Sequence, residues 1–145
     1  MAGPSVAAPP VLDLLDKARA GLAEAALLDR PHERYATAHL AALRAAAAVL
    51  AARAVPDTAP RHRQRIRSAW ELLPRLAPEL AEWSALFASG AARRARAEAG
   101  IASAATRREA DDLLREAGRF LDLVEGLLAV QPPLPRRPTG GEAGG

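Results

Sequence analysis

The chain has 145 residues, of which 50% are apolar, 26% charged and only 3% aromatic, with no cysteine and a formal charge of +3. That length suits a single domain, and about a quarter of it is alanine, the strongest helix former. Disulfide scaffolds, cysteine-ligated metals, thiol nucleophiles and β-rich folds are excluded on these grounds. All basic residues except Lys17 are arginines, which stay protonated and lift the pI to about 10.5. So modest a net charge does not by itself point to nucleic acid, although local clusters can.

Residues 1–10 carry Pro4, Pro9 and Pro10 and read as a disordered leader; no basic segment precedes an apolar run, as a secretory signal requires. Helix 1 is expected from Val11 to Leu28, with Leu12, Leu15, Leu22 and Ala26 spaced near 3.6 residues. Pro31 opens helix 2 after a short break, which dictates an antiparallel hairpin. Helix 2, Pro31 to Ala54, is apolar round most of its circumference. Leu40, Leu43, Ala47, Leu50 and Ala54 mark one face; Tyr35, Ala38, Ala42, Ala46 and Val49 mark another. Such a helix belongs in the middle of a bundle. Its uncharged run from Ala45 to Ala52 is far short of the ~20 residues of a membrane span, so no membrane role is expected and the cytoplasm is the default location.

Helix 3 is expected over Arg61–Leu73, ending or kinking at Pro74. Pro78 starts helix 4, where Leu80, Trp83 and Phe87 recur at helical spacing; Ser89-Gly90 bends it and Gly100 stops it. Thr106-Arg-Arg-Glu109 has the form of a capping box ahead of helix 5, Arg107–Val130, with Leu114, Ala117, Leu121, Val124 and Leu128 inward. Asp111 and Arg115 are spaced for an i,i+4 pair. Pro132 and Pro133 end the helix, and residues 131–145 form a Pro/Gly/Arg tail without a core. The sum is an all-α antiparallel bundle of four or five helices over residues 11–130.

Few residues are spaced for chemistry. His32-Glu33 begins a zinc-helix string, but Ala36 stands where its second histidine is needed, and neither a metal nor another cofactor is expected. Asp112 and Glu116 lie one turn apart but are flanked by Arg115 and Arg119, as on a solvated salt-bridged face. The run Arg61-His-Arg63-Gln-Arg65-Ile-Arg67 is a ridge of forked cations suited to phosphate oxygens, and Arg93, Arg94 and Arg96 form a second cluster. Pro132-Pro-Leu-Pro135-Arg-Arg137 fits a polyproline ligand pattern, but so short a string arises easily in a Pro- and Arg-rich tail, and a plain disordered terminus is expected.

Helix 2, RYATAHLAALRAAAAVLAAR (34–53), resembles the central alanine-rich helix of HEPN domains. Segment 78–100, PELAEWSALFASGAARRARAEAG, is similar to the matching region of an actinobacterial HEPN subfamily. The resemblance implies an antiparallel bundle that often dimerises. It further implies either a metal-independent ribonuclease, as in toxin–antitoxin systems, or a binding module without activity. Active members carry an arginine, a polar residue and, a few positions on, a histidine. The string of that form here is Arg34-Tyr-Ala-Thr-Ala-His39, making Arg34 and His39 the candidate catalytic pair. Tyr35 stands where the family has a polar residue, and the string lies earlier in the domain than the family motif. On one helix, residues five apart point about 140° from each other, so convergence would need a dimer.

Three functions follow, in this order. The first is a non-catalytic bundle binding RNA or another nucleic acid through Arg61, Arg63, Arg65, Arg67, Arg93 and Arg94. The second is a module pairing with itself or a small partner protein through the alanine-rich face of helix 2 or helix 4. The third is a ribonuclease using Arg34 and His39.

Overall fold

The computed structural model describes residues 8–53 and 69–128. These form six α-helices: α1 (Pro9–Leu27), α2 (Pro31–Arg53), α3 (Ala69–Leu76), α4 (Ala81–Ser89), α5 (Ala91–Glu98) and α6 (Arg107–Leu127). The all-α bundle expected from composition and period is the observed fold. α1 and α2 make the hairpin, and α2 also packs against α3, α5 and α6. By length and mean hydropathy α2 is apolar enough to cross a membrane, but ten of its residues are buried within the bundle, as befits a central helix.

Several boundaries differ from expectation for local reasons. α1 starts at Pro9, inside the expected leader, because proline's fixed φ and missing amide suit a first helical turn. Residues 1–7, the expected end of helix 2 at Ala54, the segment 61–68 of helix 3 and the tail 131–145 lie outside the described residues. α3 runs through Pro74 to Leu76 instead of ending there. Proline at position 74 cannot donate to the Trp70 carbonyl one turn back. The buried Ser84 hydroxyl donates to that oxygen instead, at 2.5 Å, so the carbonyl is not orphaned.

Pro78–Leu80 is a 3-10 turn leading into α4, and the expected helix 4 breaks at Gly90 into α4 and α5. A Cβ on Gly90 would lie 2.4 Å from the Tyr35 hydroxyl oxygen, so any other residue at this elbow would have to push the Tyr35 side chain aside. Gly100 ends α5 at φ +88°. Its amide donates to Ala97 and that of Ile101 to Arg96, which is a Schellman closure. The capping box forms as read from sequence. The Glu109 amide donates to Thr106 Oγ1 at 3.1 Å, and the Thr106 amide donates to Glu109 Oε1 at 2.9 Å.

The Asp111–Arg115 pair does not form. Asp111 is taken by Arg34 of α2, and Arg115 turns to Asp112. Arg108 and Arg119 pair with Asp112 and Glu116 respectively, giving α6 the salt-bridged outer face its sequence suggests.

Candidate functional site

Arg34 sits one turn into α2, where the short hairpin connection brings it against the end of α1. Its Nε donates to the Ala25 carbonyl at 3.1 Å and its Nη2 to that of Ala26 at 3.2 Å. Nη1 meets Asp111 Oδ1 of α6 at 2.5 Å. A cation on the last carbonyls of a helix is favoured by the helix dipole, and this one joins three helices while only 18% exposed. Arg53 repeats the device at the other end of α2, donating to Leu76 O at the end of α3 and pairing with Glu79 at 2.8 Å.

His39 is directed elsewhere. It is 1% exposed, and its Nε2 lies 2.9 Å from the Phe87 carbonyl oxygen, an arrangement in which Nε2–H donates. Tyr35 stacks on one side of the ring, while Trp70 and Phe87 present edge-on contacts. Burial pushes the His39 imidazolium below its ordinary pKa, partly offset by the Phe87 hydrogen bond, with the charge of Arg94 adding to the lowering. Its Nδ1 is buried without a partner. Arg34 and His39 thus serve separate contacts within the chain.

Above this cluster a groove of about 460 Å³ runs between the α4–α5 elbow and α6. Tyr35, Leu86, Ser89, Gly90, Arg93 and Arg96 lie along one side and Glu109, Asp112 and Glu116 along the other. The Arg93 guanidinium lies 5.8 Å from the centre of the Tyr35 ring, within cation–π range, and its Nη1 meets Glu109 Oε2 at 3.3 Å. Burial raises the Tyr35 phenol above its ordinary pKa, and the charge of Arg93 pulls the other way. The Thr106 amide holds the Glu109 carboxyl below its ordinary value, with the Arg93 charge acting in the same direction. Arg94, three-quarters buried, pairs with Glu98 at 2.7 Å. Arg96 is exposed on the groove rim.

Of the arginines expected to bind nucleic acid, Arg93 and Arg94 are therefore both in ion pairs, while Arg61, Arg63, Arg65 and Arg67 fall outside the described residues. What the sequence left unannounced is the contact of Tyr35 with Gly90 and the double engagement of Glu109. The capping box named one half of the latter, and no local pattern named the other.

A central apolar helix flanked by an antiparallel partner, a broken α4–α5 arm and a capped α6 define a small all-α bundle domain. The model of the SAV_6107-like HEPN family matches residues 25–125. The match covers more than half of the chain, which belongs to that HEPN family. No curated protein and no solved structure matches the chain significantly.

Proposed function

We propose that this chain is a non-catalytic HEPN domain that binds RNA through its arginines. The observation that carries the first half is the state of Arg34 and His39. One is spent on helix-end carbonyls and Asp111, the other is buried on the Phe87 carbonyl. A general acid–base must reach a substrate proton within hydrogen-bond distance, whereas His39 is 1% exposed and bonded to a main-chain carbonyl.

The second half is supported by charge. The groove itself is lined by Arg93 and Arg96 and by Glu109, Asp112 and Glu116, and each of these carboxylates is paired with an arginine, Asp112 and Glu116 with Arg108, Arg115 and Arg119 from beyond the lining. Arg61, Arg63, Arg65 and Arg67 add a dense run elsewhere in the chain. The test is single-stranded RNA affinity against salt. Each phosphate contact contributes roughly 0.7 to the log–log slope, so the double substitution Arg63→Ala, Arg67→Ala is expected to flatten it by about 1.4. An unchanged slope removes that run from the interface.

A second reading, a protein-interaction module, is favoured by one feature. On α4, Ala81, Ala85, Leu86 and Ala88 are exposed, Leu86 by 42%. On α2 the face of Tyr35, Ala38, Ala42, Ala46 and Val49 is covered by the bundle, while Leu40, Leu43, Ala47 and Leu50 are half-buried, so α4 is the more exposed surface for this reading. It predicts a stable dimer or hetero-complex broken by Leu86→Glu; a clean monomer with no partner recovered counts against it.

A further inference from the structure

We propose that the groove between the α4–α5 elbow and α6 is a phosphate-binding subsite built on Arg93 and Arg96, which the Glu109 carboxylate screens until phosphate displaces it from Arg93. This deepens the RNA reading by assigning a position for one phosphate group.

Glu109 is held unevenly at its two oxygens. Its Oε1 is pinned by the Thr106 amide at 2.9 Å, so Oε2 reaches Arg93 only at 3.3 Å. That is longer than the ~2.7–2.9 Å of a good charge-assisted bond, and it engages one nitrogen of a fork built for two. Both partners are more than a third exposed, where such pairs contribute little. The Arg93 Nε is buried without a hydrogen-bond partner. Arg93 is therefore held against Tyr35, by its ring and by a side-chain hydrogen bond, yet its Nε has no partner and its Nη1 only a long one.

Arg96, on the same groove wall, has no ion-pair partner among the described residues. On the opposite wall Asp112 is shared with Arg108 and Arg115, and Glu116 with Arg119, rather than with Arg96. A tetrahedral dianion or a chain phosphodiester entering here would meet two guanidinium forks and displace only one long contact. The Thr106–Glu109 cap would stay intact. Gly90 at the elbow keeps that wall free of a side chain.

Glu109→Gln isolates the screen, since glutamine also completes a capping box but carries no charge toward Arg93. The probe is inorganic phosphate titrated into the full chain, with ionic strength held constant by chloride. The readout is NMR shifts of the Gly90 and Ala92 amides and of the Arg93 and Arg96 Nε resonances. Saturable shifts are expected, tightened about two- to fivefold by Glu109→Gln, the range an exposed ion pair accounts for. Arg96→Ala, at an exposed position without partners, should weaken them at least as much.

Phosphate affinity unmoved by both substitutions, or shifts that never saturate, would overturn the subsite. Competition by a short oligoribonucleotide with and without a 5′-phosphate then separates sources. Preference for the phosphorylated form assigns a chain end, and equal competition assigns a diester; either supports the site. RNA binding without the phosphate shifts retires the subsite and leaves the RNA reading. Phosphate saturation that no RNA displaces does the reverse.

Discussion

The two sides of α2 are packed by opposite means. Where α2 meets α1 small residues are frequent: Ala18, Gly21 and Ala25 alternate with Val11, Leu15 and Leu22 among the buried residues of α1, and six of the ten buried residues of α2 are alanines. A Cβ on Gly21 would lie 3.3 Å from that of Ala41, so the two backbones approach closely. On the other side, all five aromatic residues of the chain join His39 in one connected cluster of Tyr35, Trp70, Trp83, Phe87 and Phe120. The alanine side distributes its stability over many small contacts; the aromatic side concentrates it in a few large ones. Truncation should therefore hurt the second, and enlargement the first.

The largest effect is expected from Phe87→Ala. This fully buried ring touches Trp70, Trp83, Phe120 and His39, and its loss should cost about 3–5 kcal/mol in urea unfolding. Arg34→Ala comes next, at about 1.5–3 kcal/mol, because it strips a charged donor from two carbonyls and Asp111. RNA affinity should not change in that variant. Ala45→Leu, at a fully buried site on the seam, should cost about 1–3 kcal/mol by overpacking. Ala45→Gly should cost only about 1 kcal/mol, the helix-propensity difference. If the glycine variant proves the worse of the two, the seam is looser than its backbone approach implies. Thr106→Ala should cost about 1 kcal/mol, with Thr106→Ser near neutral.

The smallest effect is a dependence on pH. His39 is held below its ordinary value of 6.5 by burial, so the unfolded chain binds its proton first. Stability from this group is complete above about pH 6.5, falls as pH drops below it, and levels off below the folded-state pKa. His39→Gln, which can still donate to the Phe87 carbonyl, should unfold with a shallower pH slope between 7 and 5. An unchanged slope would mean that His39 is not the group titrating.

Much of the fold was legible because its signals are local. Pro31 and the short hairpin, Gly90, Gly100 and the Thr106–Glu109 box each declare an element boundary in a few residues. The errors arose where tertiary contacts override local spacing. Asp111 is correctly placed for Arg115, yet Arg34 of another helix takes it. Pro74 is expected to end or kink α3; the helix continues to Leu76, and Ser84, ten positions on, satisfies the carbonyl the proline frees. The site was less legible for the same reason. Arg34 and His39 resemble the family's catalytic spacing in the chain, but only the folded bundle reveals that one faces helix-end carbonyls and the other an aromatic interior. Glu109 announces its cap in sequence, but its contact with Arg93 depends on where the α4–α5 elbow falls.

The central claim, an RNA-binding domain without catalysis, is tested most directly by mixing the full chain with labelled single-stranded RNA at low and moderate salt in EDTA. The RNA is then recovered and its length measured. Full-length RNA is expected, bound with an affinity that falls steeply as salt rises. Shortened RNA, with cleavage abolished by His39→Ala, would contradict that claim, as would no binding at either salt.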